Sequence, residues 1–252
     1  MNVSDSSALR RRGLSVLRGN WQTALMVTFV AGLLGMVQSV IQLRLDARSF
    51  WNGAGFEQFE HIASSLAPYS GLLALLGILQ TLFSPALNVG MNTYYLMLHK
   101  SEQPPFSLLF SRLHVWLRCL GLFILMGIFI FLWSLLLLVP GIIAAYKYSM
   151  APYLMAEDPG IGAFEAIRRS KEMMDGHKAR LFFLQLSFFG WMLLNAVGVT
   201  LLFSALGIIG TALGLFVSLA LQVYMNSSVT AFYLELSGRT PRPEEAKQRH
   251  VA

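Results

Sequence analysis

Residues 119–139 read CLGLFILMGIFIFLWSLLLLV, an apolar run that contains no charged side chain. A helix needs about 20 mainly apolar residues to cross a hydrocarbon core about 30 Å thick. Pro140 and Gly141 follow directly, and both residue types favour a change of chain direction. The run therefore predicts a membrane-spanning helix that ends in a turn.

The composition of the whole chain also indicates a membrane protein. Of its 252 residues, 55% are hydrophobic and only 13% are charged, and the mean hydropathy is +0.57. Soluble domains carry about 25% charged residues, so an ordinary soluble protein is excluded. Cys119 is the single cysteine, which excludes a disulfide within the chain. The sequence predicts an all-α polytopic membrane bundle, with one membrane domain over residues 1–238 and a short polar cytoplasmic tail over residues 239–252.

Six apolar runs are bounded by charged or turn-forming residues, and they predict six transmembrane helices. The predicted spans cover residues 21–43, 71–98, 119–139, 141–156, 181–203 and 207–236. Pro85 interrupts the second span, and the fourth span is short and contains Lys147.

The first residues of the chain predict an N-terminal interfacial helix. Residues 6–18 combine arginines with Leu9, Val16 and Leu17. This pattern favours a short basic helix on the inner membrane surface, with the three apolar side chains turned toward lipid. A solvated arm is the alternative. The apolar stretch that follows is too long for a secretory signal and is expected to remain as an anchor.

Basic residues indicate the orientation of the six spans. Lys and Arg near the ends of spans concentrate on the cytoplasmic side. With the N-terminus inside, all of the 19 basic residues except Arg44, Arg48 and Lys147 lie in cytoplasmic segments. A re-entrant loop at Pro140 and Gly141 would move every later loop to the other side, so the sequence favours six spans with both termini inside. The net charge of +6 is attributed to orientation and to contact with anionic lipid, and no nucleic-acid partner is expected.

A cytoplasmic amphipathic helix is predicted between the fourth and fifth spans. Asp158 can cap it with Pro159 at its first position, and Gly176 can end it. Its apolar face is expected to hold Ile161, Phe164, Ile167 and Met174. We interpret it as a structural connector or as a helix that binds a partner. The residues expected at this cytoplasmic interface are Arg168, Arg169, His177 and Lys178.

The sequence contains no familiar arrangement for catalysis or metal binding. The five histidines, at positions 61, 99, 114, 177 and 250, do not form a ligand pair four residues apart. No nucleophile motif or phosphate-binding loop is present, and the first five predicted spans contain no Asp or Glu. A non-enzymatic protein without a cofactor or metal is therefore expected.

Polar side chains inside the predicted spans are the candidate functional residues, because such groups are costly in lipid. They are Asn88, Asn92, Lys147, Asn195 and Asn226. The ammonium of Lys147 must reach the interface, pair within the protein or face water, and contact with an anionic headgroup or a substrate is the alternative to reaching the interface. The amides can bond between helices or line a polar vestibule. Gly210-x-x-x-Gly214 permits close helix approach, within one chain or in a dimer.

Several runs of the sequence resemble a bacterial membrane family. The chain reads LVPGII at residues 138–143, YSMA at residues 148–151, GHK at residues 176–178 and LSFFGW at residues 186–191, and LRGNW opens the first span at residues 17–21. These runs resemble the family called domain of unknown function nine-seven-five. A broader similarity reaches the membrane domain fused to some glycerophosphodiester phosphodiesterases. The resemblance implies six helices and a bacterial cytoplasmic membrane, and it implies no activity.

Two functions are consistent with these features. The first is a non-enzymatic integral membrane protein that binds lipid or amphiphile, or supports envelope homeostasis, a membrane-protein partner or a homo-oligomer. In that case Lys147→Ala should alter the copurified anionic lipid and leave solute flux unchanged. The alternative is a small permease or channel whose polar path uses the candidate asparagines and Lys147. Convergence of these side chains on one cavity would favour the permease.

Overall fold

The computed structural model of the chain describes residues 3–32, 67–100 and 103–238. Within this part the protein is entirely helical, with no strand, which confirms the predicted all-α class. The predicted tail after residue 238 and the predicted first span beyond residue 32 lie outside the described residues.

Nine helices, numbered here in chain order, form the described part, and short 3₁₀ turns lie at Ala67–Tyr69, Phe106–Phe110 and Leu113–Val115. The helices are α1 (Val3–Leu17), α2 (residues 21–32), α3 (Ser70–His99), α4 (Trp116–Leu136), α5 (Leu138–Tyr148), α6 (Ala151–Glu157), α7 (Ala163–Met173), α8 (Lys178–Leu206) and α9 (Ile208–Leu236).

Four stretches of the described residues are long and apolar enough to cross a membrane. They are Ala74–His99, Phe106–Leu136, Lys178–Leu202 and Ala212–Leu236. Large apolar side chains cover their outer surfaces; Leu135, for example, is 74% exposed. A surface of this extent in water would drive association, so it is the surface that a bilayer would cover.

The third predicted span ends slightly earlier than expected, because the chain reverses at Leu137. This residue is extended, with φ −164° and ψ 150°. Pro140 and Gly141 then lie in the first turn of α5, where a missing N–H is tolerated. A Cβ added to Gly141 would overlap the side chain of Ser134. Gly141 therefore allows α4 and α5 to pack tightly as a hairpin.

The fourth predicted span, 141–156, is not one continuous helix. It is divided into α5 and α6 at Ser149 and Met150. Pro152 explains the break, because its nitrogen cannot donate a hydrogen bond to the carbonyl of Tyr148. Ser170 of α7 stabilises the break from outside: its Oγ accepts a hydrogen bond from the Met150 N–H (3.2 Å) and donates one to the Lys147 carbonyl (2.8 Å).

Helices α8 and α9 form a second hairpin, joined at Gly207 with φ +58°. A Cβ added to Gly214 would lie 2.5 Å from Cγ2 of Val199, so the close approach offered by the Gly210–Gly214 motif is used within the chain. Asn195 also joins the two helices, since its Nδ2 donates to Ser218 Oγ at 2.6 Å.

The N-terminal helix α1 packs on protein, which corrects the expectation that its apolar side chains face lipid. Leu9 and Leu17 are buried, and Val16 is half-buried. Gly13 lies against α9, where Ser227 Oγ donates to its carbonyl at 3.0 Å. The helix therefore crosses the C-terminal part of α9 inside the fold.

The amphipathic helix α7 begins later than predicted. Its N-cap is Gly162, because Asp158 Oδ1 instead accepts a hydrogen bond from the Gly160 N–H (2.9 Å) and Pro159 lies in the resulting turn. Ile161, Ile167 and Met174 are buried as expected. Phe164 departs from the prediction, since it is 67% exposed. The chain leaves α7 through a turn at Gly176, with φ +74°.

Candidate functional site

One end of the bundle gathers most of the charged side chains of the described residues. Three contacts place helix ends together there: His99 Nε2 lies 3.0 Å from the carbonyl oxygen of Ser227, Arg118 Nη1 donates to the Pro159 carbonyl at 3.1 Å, and Arg180 Nη2 donates to Glu235 Oε1 at 2.6 Å. The basic residues on the segments that meet at this end are Arg10, Arg11, Arg12, Arg18, Lys100, Arg112, Arg118, Arg168, Arg169, Lys171, Lys178 and Arg180. We call this surface the charged end.

Side-chain bonds at the charged end hold α6 in place. Arg112 Nη2 donates to the carbonyl of Ala156 at 2.6 Å, and its Nε donates to Thr93 Oγ1 at 3.2 Å. Tyr233 Oη donates to Glu157 Oε2 at 2.9 Å, and its ring stacks on Tyr153 with centroids 5.1 Å apart. These arginine and tyrosine contacts join α6 to α3 and α9, so their evident role is structural.

The expected cytoplasmic interface lies on α7 and the turn after it. The Arg168 and Arg169 side chains are exposed and both bind Glu165, with the closest pairs at 2.8 and 2.7 Å. Their hydrogen bonds, from Arg168 first and Arg169 second, lower the pKa of the Glu165 carboxyl to about 2. Lys178 pairs with Asp175 at 3.0 Å and lowers the pKa of that carboxyl in the same way, and His177 is half-buried beside them.

A cavity of about 410 Å³ lies between α2, α3 and α9. Its polar lining comes from Thr28 of α2, Ser84 and Asn88 of α3, and Gln222 and Asn226 of α9. Apolar side chains from α3, Leu87 and Met91, complete the wall. We call this space the amide cavity.

The polar side chains of the amide cavity are partly bonded to one another. Gln222 Nε2 donates to Asn226 Oδ1 at 3.1 Å, and Asn226 Nδ2 lies 3.7 Å from the Met91 sulfur. Thr28 Oγ1 lies 2.8 Å from the hydroxyl of Tyr95, which is buried beside the cavity.

Other polar atoms of the amide cavity have no hydrogen-bond partner among the residues that the structure describes. They are Asn88 Nδ2, Ser84 Oγ and Gln222 Oε1. Asn88 and Gln222 lie near the middle of the spans Ala74–His99 and Ala212–Leu236. At that depth there is no bulk water to satisfy them, so a polar ligand group or trapped water is the chemistry that the cavity can accommodate.

The structure brings three of the five candidate residues together. Asn88 and Asn226 line the amide cavity, and Asn92 lies behind Asn88, to which its Nδ2 donates at 3.3 Å. Asn195 lies elsewhere, in its contact with Ser218. Lys147 also lies apart, with its ammonium 5.5 Å from the ring centroid of Trp133. The five side chains therefore do not form one path.

Sequence reasoning missed three polar lining residues. Ser84 precedes Asn88 by one helical turn, and Gln222 precedes Asn226 by the same interval. A pair of polar residues four apart in an apolar span is a signal that could have identified both. No comparable signal marks Thr28, which joins the cavity only because α2 packs against α3.

The described residues were also compared with the arrangements that metal sites and reactive thiols need. No group of three or more His, Cys, Asp or Glu side chains among the described residues is arranged to hold a metal ion. Cys119 is buried in the core.

Comparison with known proteins shows that part of the chain is similar to a known family. Residues 135–240 match the family model described as "Protein of unknown function (DUF975)". This match confirms the resemblance over α5 to α9, while the broader similarity to the phosphodiesterase-fused membrane domain stays a prediction. No curated protein and no solved structure matches the chain.

Proposed function

We propose that this chain, whose residues 135–240 carry the DUF975 family match, is a non-enzymatic multi-pass membrane protein that binds a lipid or another amphiphile in the amide cavity. The observation that carries the proposal is the position of the cavity: unpartnered amide and hydroxyl groups line it near the middle of two apolar spans. A volume of about 410 Å³ falls within the ordinary range of ligand pockets.

The lining of the cavity suits a molecule with both polar and apolar parts. Asn88 and Gln222 offer hydrogen bonds, while Leu87 and Met91 offer apolar contact. Asn88 and Gln222 are themselves exposed, so the cavity has an open side among the described residues. An amphiphile could place its polar group on the amides and its chain along the apolar surface of the helices.

The number of spans and their orientation in the membrane are part of the same proposal. Six spans with both termini inside a bacterial cytoplasmic membrane would place the charged end against the inner leaflet. Support comes from the basic residues gathered at that end, because positive charge concentrates on the cytoplasmic side and attracts anionic lipid. The exposed Arg168 and Arg169 are then available to anionic headgroups or to a membrane-protein partner that supports the cell envelope.

Lipid analysis of the purified protein tests the proposed binding. We expect one class of amphiphile to copurify at a higher proportion than in the host membrane. Asn226→Leu should lose that enrichment, because it removes the amide and fills part of the cavity. Asn195→Leu is the matched control, since its amide bonds Ser218 away from the cavity. A lipid composition equal to that of the host membrane in all three proteins would contradict the proposal.

A small permease is the second candidate, favoured by the polar lining at mid-membrane depth. Its weakness is that Lys147 and Asn195 lie away from the amide cavity. Liposomes that contain the purified protein distinguish the two functions. Solute flux that disappears in Asn88→Leu and persists in Asn195→Leu would favour the permease, whereas copurified amphiphile without flux would favour binding.

A further inference from the structure

The described lining of the amide cavity carries no charge. Its polar groups are carboxamides from Asn88, Gln222 and Asn226 and hydroxyls from Thr28 and Ser84. No Lys, Arg, His, Asp or Glu is among the described residues that line it. Lys147 is not among these lining residues, and its ammonium lies 5.5 Å from the ring centroid of Trp133.

An ionised ligand group would have no counterion in this lining. An unpaired charge near the bilayer centre is disfavoured by about 100-fold relative to a neutral group. Amides, in contrast, bind neutral oxygen groups through ordinary hydrogen bonds, as donors and as acceptors.

The unpartnered atoms define which neutral group fits. Asn88 Nδ2 can donate to an oxygen, and Gln222 Oε1 can accept a hydroxyl proton. A hydroxyl group can satisfy both atoms, because it donates one hydrogen bond and accepts others. A carboxylate or a fully ionised phosphate ester offers acceptors only.

From these contacts we propose that the amide cavity selects amphiphiles whose polar group is uncharged and bears a hydroxyl, such as long-chain alcohols or monoacylglycerols. It excludes the anionic lipids that the charged end attracts. This inference rests on the proposed amphiphile binding and adds the chemical class of the ligand. The protein would then separate two lipid chemistries, anionic headgroups at the charged end and neutral alcohols at mid-depth.

Photolabelling with a matched pair of probes tests the selection. One probe is a long-chain alcohol with a diazirine in its chain, and the other is the phosphate monoester of the same alcohol. The full-length protein is held in phosphatidylcholine nanodiscs, and labelled peptides are mapped by mass spectrometry. We expect the alcohol to label the peptides that contain Leu87 and Met91 at least ten times more than the phosphate.

Substitutions of Asn88 and Gln222 test whether their amide atoms cause the preference for the alcohol. Asn88→Leu and Gln222→Leu should each reduce alcohol labelling several-fold, while Asn195→Leu should leave it unchanged. Gln222→Lys adds a cation to the lining and should allow the phosphate probe to label the same peptides. Gel filtration checks that each variant is monodisperse, and two independent leucine variants keep the test available if one fails to fold.

The possible outcomes distinguish the selection of neutral amphiphiles from amphiphile binding itself. Strong alcohol labelling that Asn88→Leu removes would support the inference. Equal or stronger labelling by the phosphate would overturn the neutral selection and leave amphiphile binding intact. Labelling of the cavity peptides by neither probe would contradict the proposed function itself.

Discussion

At the scale of single residues, Lys147 shows how the fold accommodates a cation among apolar helices. The sequence leaves several alternatives open: a pairing within the protein, reach to the interface, exposure to water, or contact with an anionic headgroup or substrate. The position of its ammonium, 5.5 Å from the centroid of the Trp133 ring, favours the first.

We expect Lys147→Met and Trp133→Leu to be non-additive, with a coupling free energy of about 0.5–2 kcal/mol. Thermal unfolding of the single and double variants in detergent measures this coupling. Strictly additive effects would mean that the two side chains do not interact. Anionic lipid that copurifies with Lys147→Ala, measured alongside, tests the headgroup alternative.

Gly214 also matters to the fold, because the absence of a side chain there lets α8 and α9 approach closely. Gly214→Ala would place a methyl group 2.5 Å from Val199 Cγ2 and should destabilise the α8–α9 hairpin by about 1–3 kcal/mol. Gly198→Ala is the control, since nothing lies within 4 Å of its added Cβ. Unfolding in detergent measures both. If Val199→Ala does not recover stability in the Gly214→Ala background, the clash is not the cause.

At the scale of elements, Ser170 explains how α5 and α6 remain in place despite their break. Its hydroxyl is buried and bonds both the Met150 N–H and the Lys147 carbonyl. Ser170→Ala leaves that N–H unpartnered, which should cost about 1–3 kcal/mol of unfolding free energy. Ser187→Ala is the matched control, because Ser187 bonds only a carbonyl of its own helix. Equal losses in both variants would contradict a specific role for Ser170.

Helix α7 should respond to pH through Glu165. Bonds from Arg168 and Arg169 hold the pKa of this carboxyl at about 2, below the value of about 4.3 in an unfolded chain. The resulting stability is fully present above about pH 4.5 and is lost as the pH falls through about 2. We expect the stability difference between wild type and Glu165→Gln to vanish over that interval and to shrink in high salt. A difference that persists at pH 2 would exclude this ion-pair origin.

The helices could be predicted from the sequence more fully than the contacts between them. The run at 119–139 and the pattern of α7 each identify a helix, because hydropathy and periodicity act locally. The break before Pro152 is masked by the apolar residues around it, and Ser170, which stabilises it, lies in another helix. The burial of Leu9 depends on α9. In the amide cavity, residue type indicated Asn88 and Asn226, but only tertiary packing could show that Asn195 lies elsewhere.

At the scale of the whole molecule, the contacts at the charged end constrain how the chain crosses the membrane. Arg118 near the start of α4 bonds the carbonyl of Pro159, just beyond α6. The hairpin of α4 with α5 and α6 therefore leaves the charged end and returns to it. The bond between Arg180 and Glu235 likewise shows that the α8–α9 hairpin begins and ends at the charged end. We therefore expect each hairpin to contribute an even number of crossings, which would place residues before α4 and after α9 on one side of the membrane.

Cysteine labelling tests this topology directly, and Cys119→Ala provides a background free of thiols. In that background we place single cysteines by Ser111→Cys and Asp175→Cys at the charged end and by Ser204→Cys at the opposite tip of the α8–α9 hairpin. A membrane-impermeant maleimide should label the Ser204→Cys protein in spheroplasts. The other two proteins should react only after the membrane is opened, because positive charge is retained inside.

The reverse labelling pattern would show that the protein has the opposite orientation in the membrane. Labelling of Ser111→Cys and Asp175→Cys from opposite sides would show that α5 and α6 do not return the chain across the membrane, and the six-span topology would fail.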